Sequence, residues 1–336
     1  MACPSFASGS SITLYYAIDP DPAAAIPGTF SWERIRMTSE NLDLKLTGAV
    51  SAEITATRAD ADSILVSGEV GGSFNFEASH TFMSNWLIAA LQANKDFTFN
   101  GVAAPGNPWA TTEHIQNGST RKCIVIQKRV LRADGTYDVF LFRGCQVGDL
   151  SLKAGKASNL TGSVTVLGTG GELAVEGSTL PVGWTYREPV LDPIISSVQG
   201  LDSLQLQDSG GIDTQVTFAS FDLMISNKAR KQEAVGAGIY PVGIGFGSIE
   251  VKANATVYYA DPTVFSAFLA NDDLRIVFNL LDSDANNFAF RLNKVKVLSG
   301  STPLASGKDD DATITSSFQA FDDPTYGAIR ITRTFS

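Results

Sequence analysis

Histidine and cysteine are scarce in this chain, long apolar runs are missing, and positive charge is outnumbered. There are two histidines in 336 residues, His80 and His114. Neither belongs to a His-Glu-x-x-His helix, a His-rich cluster or a Cys-x-x-Cys pair, which excludes the common zinc patterns. The three cysteines, Cys3, Cys123 and Cys145, are odd in number and lack paired spacing. They read as small apolar residues of a reducing cytosol, not as a disulfide or metal framework, and no bridge from Cys123 to Cys145 is expected. No apolar run is long enough to cross a bilayer as a helix. The chain opens Met1-Ala-Cys-Pro-Ser5 with neither a basic nor an apolar region behind it, so no secretory signal is expected. Lys and Arg total 25 against 35 Asp and Glu, a net charge of −10. Tight binding to nucleic acid needs clustered Lys and Arg, and an acidic protein repels phosphates.

The motifs of catalysis are missing as well. No Gly-x-Ser-x-Gly elbow supports a hydrolase, although a triad of His80 or His114 with a Ser and a carboxylate could only be found in space. Gly236-Ala-Gly238 and Gly243-Ile-Gly-Phe-Gly247 are followed by no phosphate-loop Lys and join no strand to a helix. They read as flexible loops. Asp282, Asp284 and Asp309 to Asp311 lack the ligand spacing of a calcium loop and read as solvated acidic turns. Arg121-Lys122, Lys128-Arg129 and Arg132 form a local basic patch, expected to pair with an acidic neighbour. No catalytic, cofactor-binding or metal-binding residue is expected, and no cofactor.

What the chain does have is Gly, Thr, Ser, Val and Phe, the composition of β structure with many turns. It also repeats itself. Phe140-Leu-Phe-Arg-Gly-Cys-Gln-Val-Gly-Asp-Leu-Ser151 and Phe288-Ala-Phe-Arg-Leu-Asn-Lys-Val-Lys-Val-Leu-Ser299 share Phe, Phe, Arg, Val, Leu and Ser at six of twelve positions. Each copy is followed by Gly-Lys, at Gly155 and at Gly307. The period is far too long for a solenoid and fits two copies of a whole domain. The expected division is an N-terminal arm 1–29, a first module 30–168, a linker 169–192 and a second module 193–336. The arm, with Asp19-Pro-Asp-Pro22 and one strand-like run from Ile12 to Ile18, is expected to need a neighbour to hold it.

Periodicity places the elements. Leu42, Leu44 and Leu46 alternate with polar residues, and 47–69 reads as a long hairpin excursion. Phe82, Trp86 and Ala89, flanked by Met83, Leu87, Ala90 and Leu91, make a helical stripe that should cover a sheet face. Residues 100–120, with Pro105, Gly106 and Pro108, read as a loop containing His114. Asp134-Gly135 between β-rich runs predicts a hairpin, and Val139 to Phe142, apolar on both faces, a central strand. In the second half, Ile249 to Tyr259 alternate over eleven residues. Asp261-Pro262 should cap a short helix bearing Phe265, Phe268 and Leu269. So much sheet cannot be covered by one short helix per module. A second sheet, the other module or another subunit must bury the rest.

Asn117-Gly-Ser-Thr-Arg-Lys-Cys-Ile-Val-Ile126, Leu141-Phe-Arg-Gly-Cys-Gln-Val147 and Leu160-Thr-Gly-Ser-Val164 resemble the tail tube proteins of long-tailed (siphovirus-type) bacteriophages. So do Arg36-Met-Thr-Ser-Glu-Asn-Leu42, Gly71-Gly-Ser-Phe-Asn-Phe-Glu77 and, in the second half, Ile225-Ser-Asn-Lys-Ala-Arg230, Gly247-Ser-Ile-Glu-Val251 and Val257-Tyr-Tyr-Ala-Asp261. The resemblance implies a mainly β fold of two tandem tail-tube-like β-sandwich/barrel modules, each with one short α-helix. It implies a structural subunit that self-assembles into stacked rings, trimeric with pseudo-sixfold symmetry. The β-barrel lumen would conduct DNA non-specifically, and the partners would be the tape-measure, tail terminator and distal tail proteins, with no membrane. Such a subunit is made in the bacterial host cytoplasm and resides in the virion tail. The loops 47–69 and 227–246 are expected to carry ring-to-ring contacts, with the arm latching a neighbour. A tail-tip or other virion ring protein that does not polymerise is the alternative.

Overall fold

A computed structural model describes residues 9–53, 57, 59–97, 113–208, 210–211, 214, 216–260, 262–305 and 308–334. The first half contains β1 (Ile12–Ile18), β2 (Phe30–Arg34), β3 (Ser39–Glu40), β4 (Asp43–Val50), β5 (Ser63–Glu77) and helix α1 (His80–Ala90). It continues through β6 (Glu113–Gln116), β7 (Ile124–Leu131), β8 (Tyr137–Ala154), β9 (Thr161–Leu167) and β10 (Gly170–Ser178). Next come β11 (Trp184–Arg187), β12 (Leu201–Asp208), β13 (Phe218–Ser226), β14 (Arg230–Gln232), β15 (Gly243–Gly245) and β16 (Glu250–Tyr258). Helix α2 (Thr263–Ala270), β17 (Leu274–Leu281), β18 (Asn287–Gly300), β19 (Thr313–Ala320) and β20 (Arg330–Thr334) complete the chain. The protein is mainly β, and its sheets do not close into a barrel within one chain.

The two repeats lie on two long hairpin strands, β8 and β18. Asp134-Gly135 makes the turn into β8: the Asp134 carboxylate accepts from Thr136 N at 2.9 Å, and Gly135 sits at φ +85°. The first half of β8 lies between β7 and β10, its second half between β9 and β13. Val139, Leu141 and Phe142 are accordingly buried, as a central strand requires. The first half of β18 lies between β17 and β20. Val295 is paired on both sides, by Leu274 and Ala320; from Lys296 onward β18 carries β19 on one side, and among the described strands none pairs with its other edge.

Several expectations are corrected. Ile12–Ile18 is no free arm: it pairs with β7 over seven residues of its own chain, and Leu14, Tyr15 and Tyr16 are buried. Residues 169–192 are no plain linker. β10 hydrogen-bonds to β8, and β11 runs parallel to β2. Trp184 packs edge-on against Trp32 at 5.4 Å, in a second small core with Tyr15, Val125 and Leu141. The signal was present, since Leu173 and Val175 alternate with Glu172 and Glu176. His114 lies on β6, opposite Thr332 of β20, although most of 100–120, including Pro105, Gly106 and Pro108, lies outside the described residues. Cys3, Gly307 and the cap residue Asp261 also lie outside them; Pro262 precedes α2 as its N-cap.

Helix α1 covers more than one sheet face. All of its residues from His80 to Ala90 are buried, the state of a helix that is apolar nearly all round. Its polar side chains find internal partners: Ser84 Oγ donates to His80 O at 2.8 Å, and Asn85 Nδ2 to Tyr16 Oη at 2.8 Å. Ser79, the N-cap, makes no capping bond. Asp192 supplies it instead, its carboxylate accepting from Thr81 N where the helix dipole favours negative charge. One hydrophobic core runs from Leu14 and α1 through β8 and β13 to β17, β18 and Ile331. The two halves are therefore welded by packing as well as by the β8–β13 and β6–β20 ladders.

Candidate assembly interface

The side chains that the sequence offers for chemistry lie apart from the surfaces described below, each in its own setting. His80 is buried and stacked on Phe288 at 4.6 Å, with Asp282, Arg333 and Asp192 in its electrostatic surroundings. Burial is the main force holding its pKa at about 4, below the usual 6.5; Arg333 adds to it, and Asp282 and Asp192 oppose it. A neutral buried histidine costs stability when acid protonates the unfolded chain first. Stability is therefore expected to fall by about 2–3 kcal/mol from this group as pH drops from 6.5 towards 4. Urea unfolding at stepped pH should show a flatter profile in His80→Gln over that window. His114 is exposed, with Nδ1 2.8 Å from Arg330 Nη2. The structure brings neither histidine together with the other. Asp282 spends its carboxylate on its own turn, accepting from Asp284 N and Asn286 N at 2.9 Å. Cys123 and Cys145 are both free thiols.

The basic patch is consumed inside the chain. Lys128 meets Glu40 at 2.7 Å, Arg132 meets Asp138 at 2.6 Å and Lys122 meets Asp96 at 3.5 Å. Arg129 lies against the rings of Tyr15, Tyr137 and Tyr186 at 4.6, 4.9 and 4.7 Å. Arg121 sits over Phe246 at 5.0 Å. Hydrogen bonding to Arg132 is the first cause that holds the Asp138 carboxyl below its usual range.

The chain's unfinished surfaces are of another kind. The β4–β5 hairpin projects Leu46, Val50, Ile64, Leu65 and Val66 into solvent, Ile64 at 65 % and Leu65 at 57 % exposure. Scattered exposed apolar residues are ordinary, but here five share one ribbon. The excursion holding β14 and β15 braces the base of this ribbon. Ile239 O accepts from Gly68 N at 2.7 Å, Tyr240 Oη donates to Gly171 O at 3.0 Å, and Lys231 meets Glu69 at 2.8 Å. A groove of about 900 Å³ runs beside residues 34–40, with Ile12 and Leu14 on one side and Glu188 and Leu191 on another.

Comparison with known proteins decides what these surfaces belong to. The sequence model described as phage tail tube protein matches residues 9–320. The chain belongs to the phage tail tube protein family. No curated protein matches the sequence. As a tail tube family member it has a structural role in the virion tail, where self-association is its business. Its partner surfaces are therefore to be read as contacts between copies, and the exposed apolar ribbon and the unpaired strand edges are the features that fit. Sequence periodicity could not flag them, because an exposed alternating strand and a buried one share the same pattern.

Proposed function

We propose that this tail tube family member forms closed rings that stack into the tube, and that the bore conducts DNA during ejection. The observation that carries this reading is the apolar β4–β5 ribbon, exposed beside a buried hydrophobic core. The chain is two copies of one tube unit. β1 on β7, β7 on β8, β8 on β9, β9 on β5 and β10 on β8 correspond to β12 on β17, β17 on β18, β18 on β19, β19 on β16 and β20 on β18. The units are 30–168, to which β1 and β10 add, and 193–336. A trimer of such chains presents six quasi-equivalent units, and head-to-tail contacts close by rotation. An excess of acidic residues, with the basic cluster already paired, gives a bore that offers phosphates no resting place. Before ejection the bore holds a tape-measure protein, and terminator and distal tail proteins cap its ends.

The ribbon, with the 227–246 excursion at its base, makes the ring-to-ring contacts. The double variant Ile64→Asp, Leu65→Asp changes only exposed positions, so its folding stability is expected to stay within about 1 kcal/mol of the parent. Negative-stain microscopy should show rings that no longer stack. Tubes of normal length from this variant would remove the ribbon from the stacking contact. A parent protein that gives closed rings but never tubes, at any concentration, would favour a tail-tip ring protein.

A further inference from the structure

One strand junction occurs in this chain twice, once filled and once open. The end of β8 pairs antiparallel with β13, with Leu150 opposite Ile225, Leu152 opposite Leu223 and Lys153 opposite Asp222. Beyond Ala154 the chain passes a cleft of about 390 Å³ between Leu201, Leu204 and Phe218. The repeat maps Leu150 onto Leu298, so the counterpart of this strand end is β18 from Leu298 onward. There β18 has β19 on one side and, among the described strands, nothing on the other.

The counterpart of β13 follows from the ladders. Val147 and Val295 are the same repeat position. Val147 pairs with Val166, which pairs with Gly72. Val295 pairs with Ala320, which pairs with Val251, which pairs with Ile225. Leu42 stands opposite Gly72, one step before the Asp43–Gly71 pair. Leu42 thus corresponds to Ile225, and residues 38–42 to the end of β13. Beside the preceding stretch, residues 34–40, lies the groove of about 900 Å³, more than twice the cleft at β13. The difference corresponds to the strand end that the first unit supplies at β13 and that no described strand supplies at this groove.

We infer that the end of β18 from a second copy of this chain enters this groove and pairs antiparallel with residues 38–43. Leu298 stands opposite Leu42 and Ser301 opposite Ser39. This rests on the ring reading above and assigns its contact. The contact is heterologous, one plug and one socket per copy, the kind that builds a ring when its rotation closes. In the lone chain the socket is guarded. Lys128 Nζ binds Leu42 O at 3.0 Å and Glu40 Oε1 at 2.7 Å, while Glu40 Oε2 accepts from Leu42 N at 2.8 Å. These side chains occupy backbone groups that an incoming strand would use, a common protection of a sheet edge. Docking displaces them.

The test is a cysteine pair, Ser39→Cys with Ser301→Cys. Asn41 N bonds Ser73 O at 2.9 Å, so alternate residues 39 and 41 turn their backbone groups towards β5. On the outer edge Ser39 is then a non-hydrogen-bonded position, where facing Cα atoms approach to about 4.5 Å, within disulfide reach. Oxidation should link most chains of the double variant into dimers and larger species on a non-reducing gel, and neither single variant should link. The pair Ser39→Cys, Ser299→Cys, two residues out of register, should link several-fold less. Rings seen by microscopy without cross-links would overturn this junction and leave the ring reading standing. Neither rings nor cross-links would overturn both.

Discussion

Replacing Asp19 with alanine is expected to destabilise the fold by about 3–5 kcal/mol, because it strands a buried guanidinium. Asp19 directly follows β1 with its side chain fully buried, and the Arg143 side chain on β8 is 7 % exposed. Arg143 Nε and Nη2 each reach a carboxylate oxygen at 2.9 Å, and Gly144 N donates to the same carboxylate at 3.0 Å. Without Asp19, Arg143 keeps only the carbonyl of Asp21, at 2.8 Å, among these partners. The full desolvation penalty of the cation then remains with little to offset it. Urea unfolding followed by tryptophan fluorescence measures the loss. The double variant Asp19→Leu, Arg143→Met should recover a substantial part, since removing both charges leaves none uncompensated. A loss below about 1 kcal/mol for Asp19→Ala would mean that the pair is solvated, contrary to its burial. Arg291 is the control. It occupies the same repeat position, but it bonds Asn293 Oδ1 at 2.8 Å and lies 4.9 Å from the Tyr326 ring on a partly exposed face. Its replacement by alanine is expected to cost much less.

Trp86→Ala should cost a similar amount, about 3–5 kcal/mol, by opening a cavity that its surroundings cannot close. The indole is fully buried and lies 4.8 Å from Phe74, 5.0 Å from Tyr16 and 6.2 Å from Phe82. Phe74 is clamped in the β5–β9 ladder opposite Val164, and Tyr16 in the β1–β7 ladder opposite Ile126. Neither backbone can move in to fill the space without breaking its register. Trp86→Phe separates packing from polarity. The indole N–H has no acceptor among the described residues, so phenylalanine loses volume but also removes a buried donor. Its cost is expected to stay below about 1.5 kcal/mol. Equal losses in the two variants would show that the pocket recognises the indole itself.

Much of this was legible in the residues. Alternation marked β4, β9 and β16, Asp134-Gly135 marked the turn into β8, and the helical stripe marked α1. The motifs that resemble tail tube proteins fall inside the stretch that the family match covers. The misses share a cause. β6 is four residues long, too short to show any period, and it is a strand because β20 lies beside it. β11 is equally short and is held by a parallel partner far back in the sequence, β2. The stripe on α1 gave the side that meets the sheet but not the burial of its opposite side. There Ser84 and Asn85 are tolerated only because an acceptor stands in reach of each.

By itself, then, the sequence determined which segments extend, where the chain turns, that the stretch beginning at Phe140 recurs at Phe288, and the family to which the chain belongs. Local periodicity and turn chemistry act within a few residues, so they survive without knowledge of the fold. Only the tertiary structure decided which strands are neighbours, that Arg143 is buried while Arg291 is not, and which edges are left without a partner. Those outcomes depend on contacts between residues far apart in the chain, and alternation along a strand is the same whether its edge is paired or open.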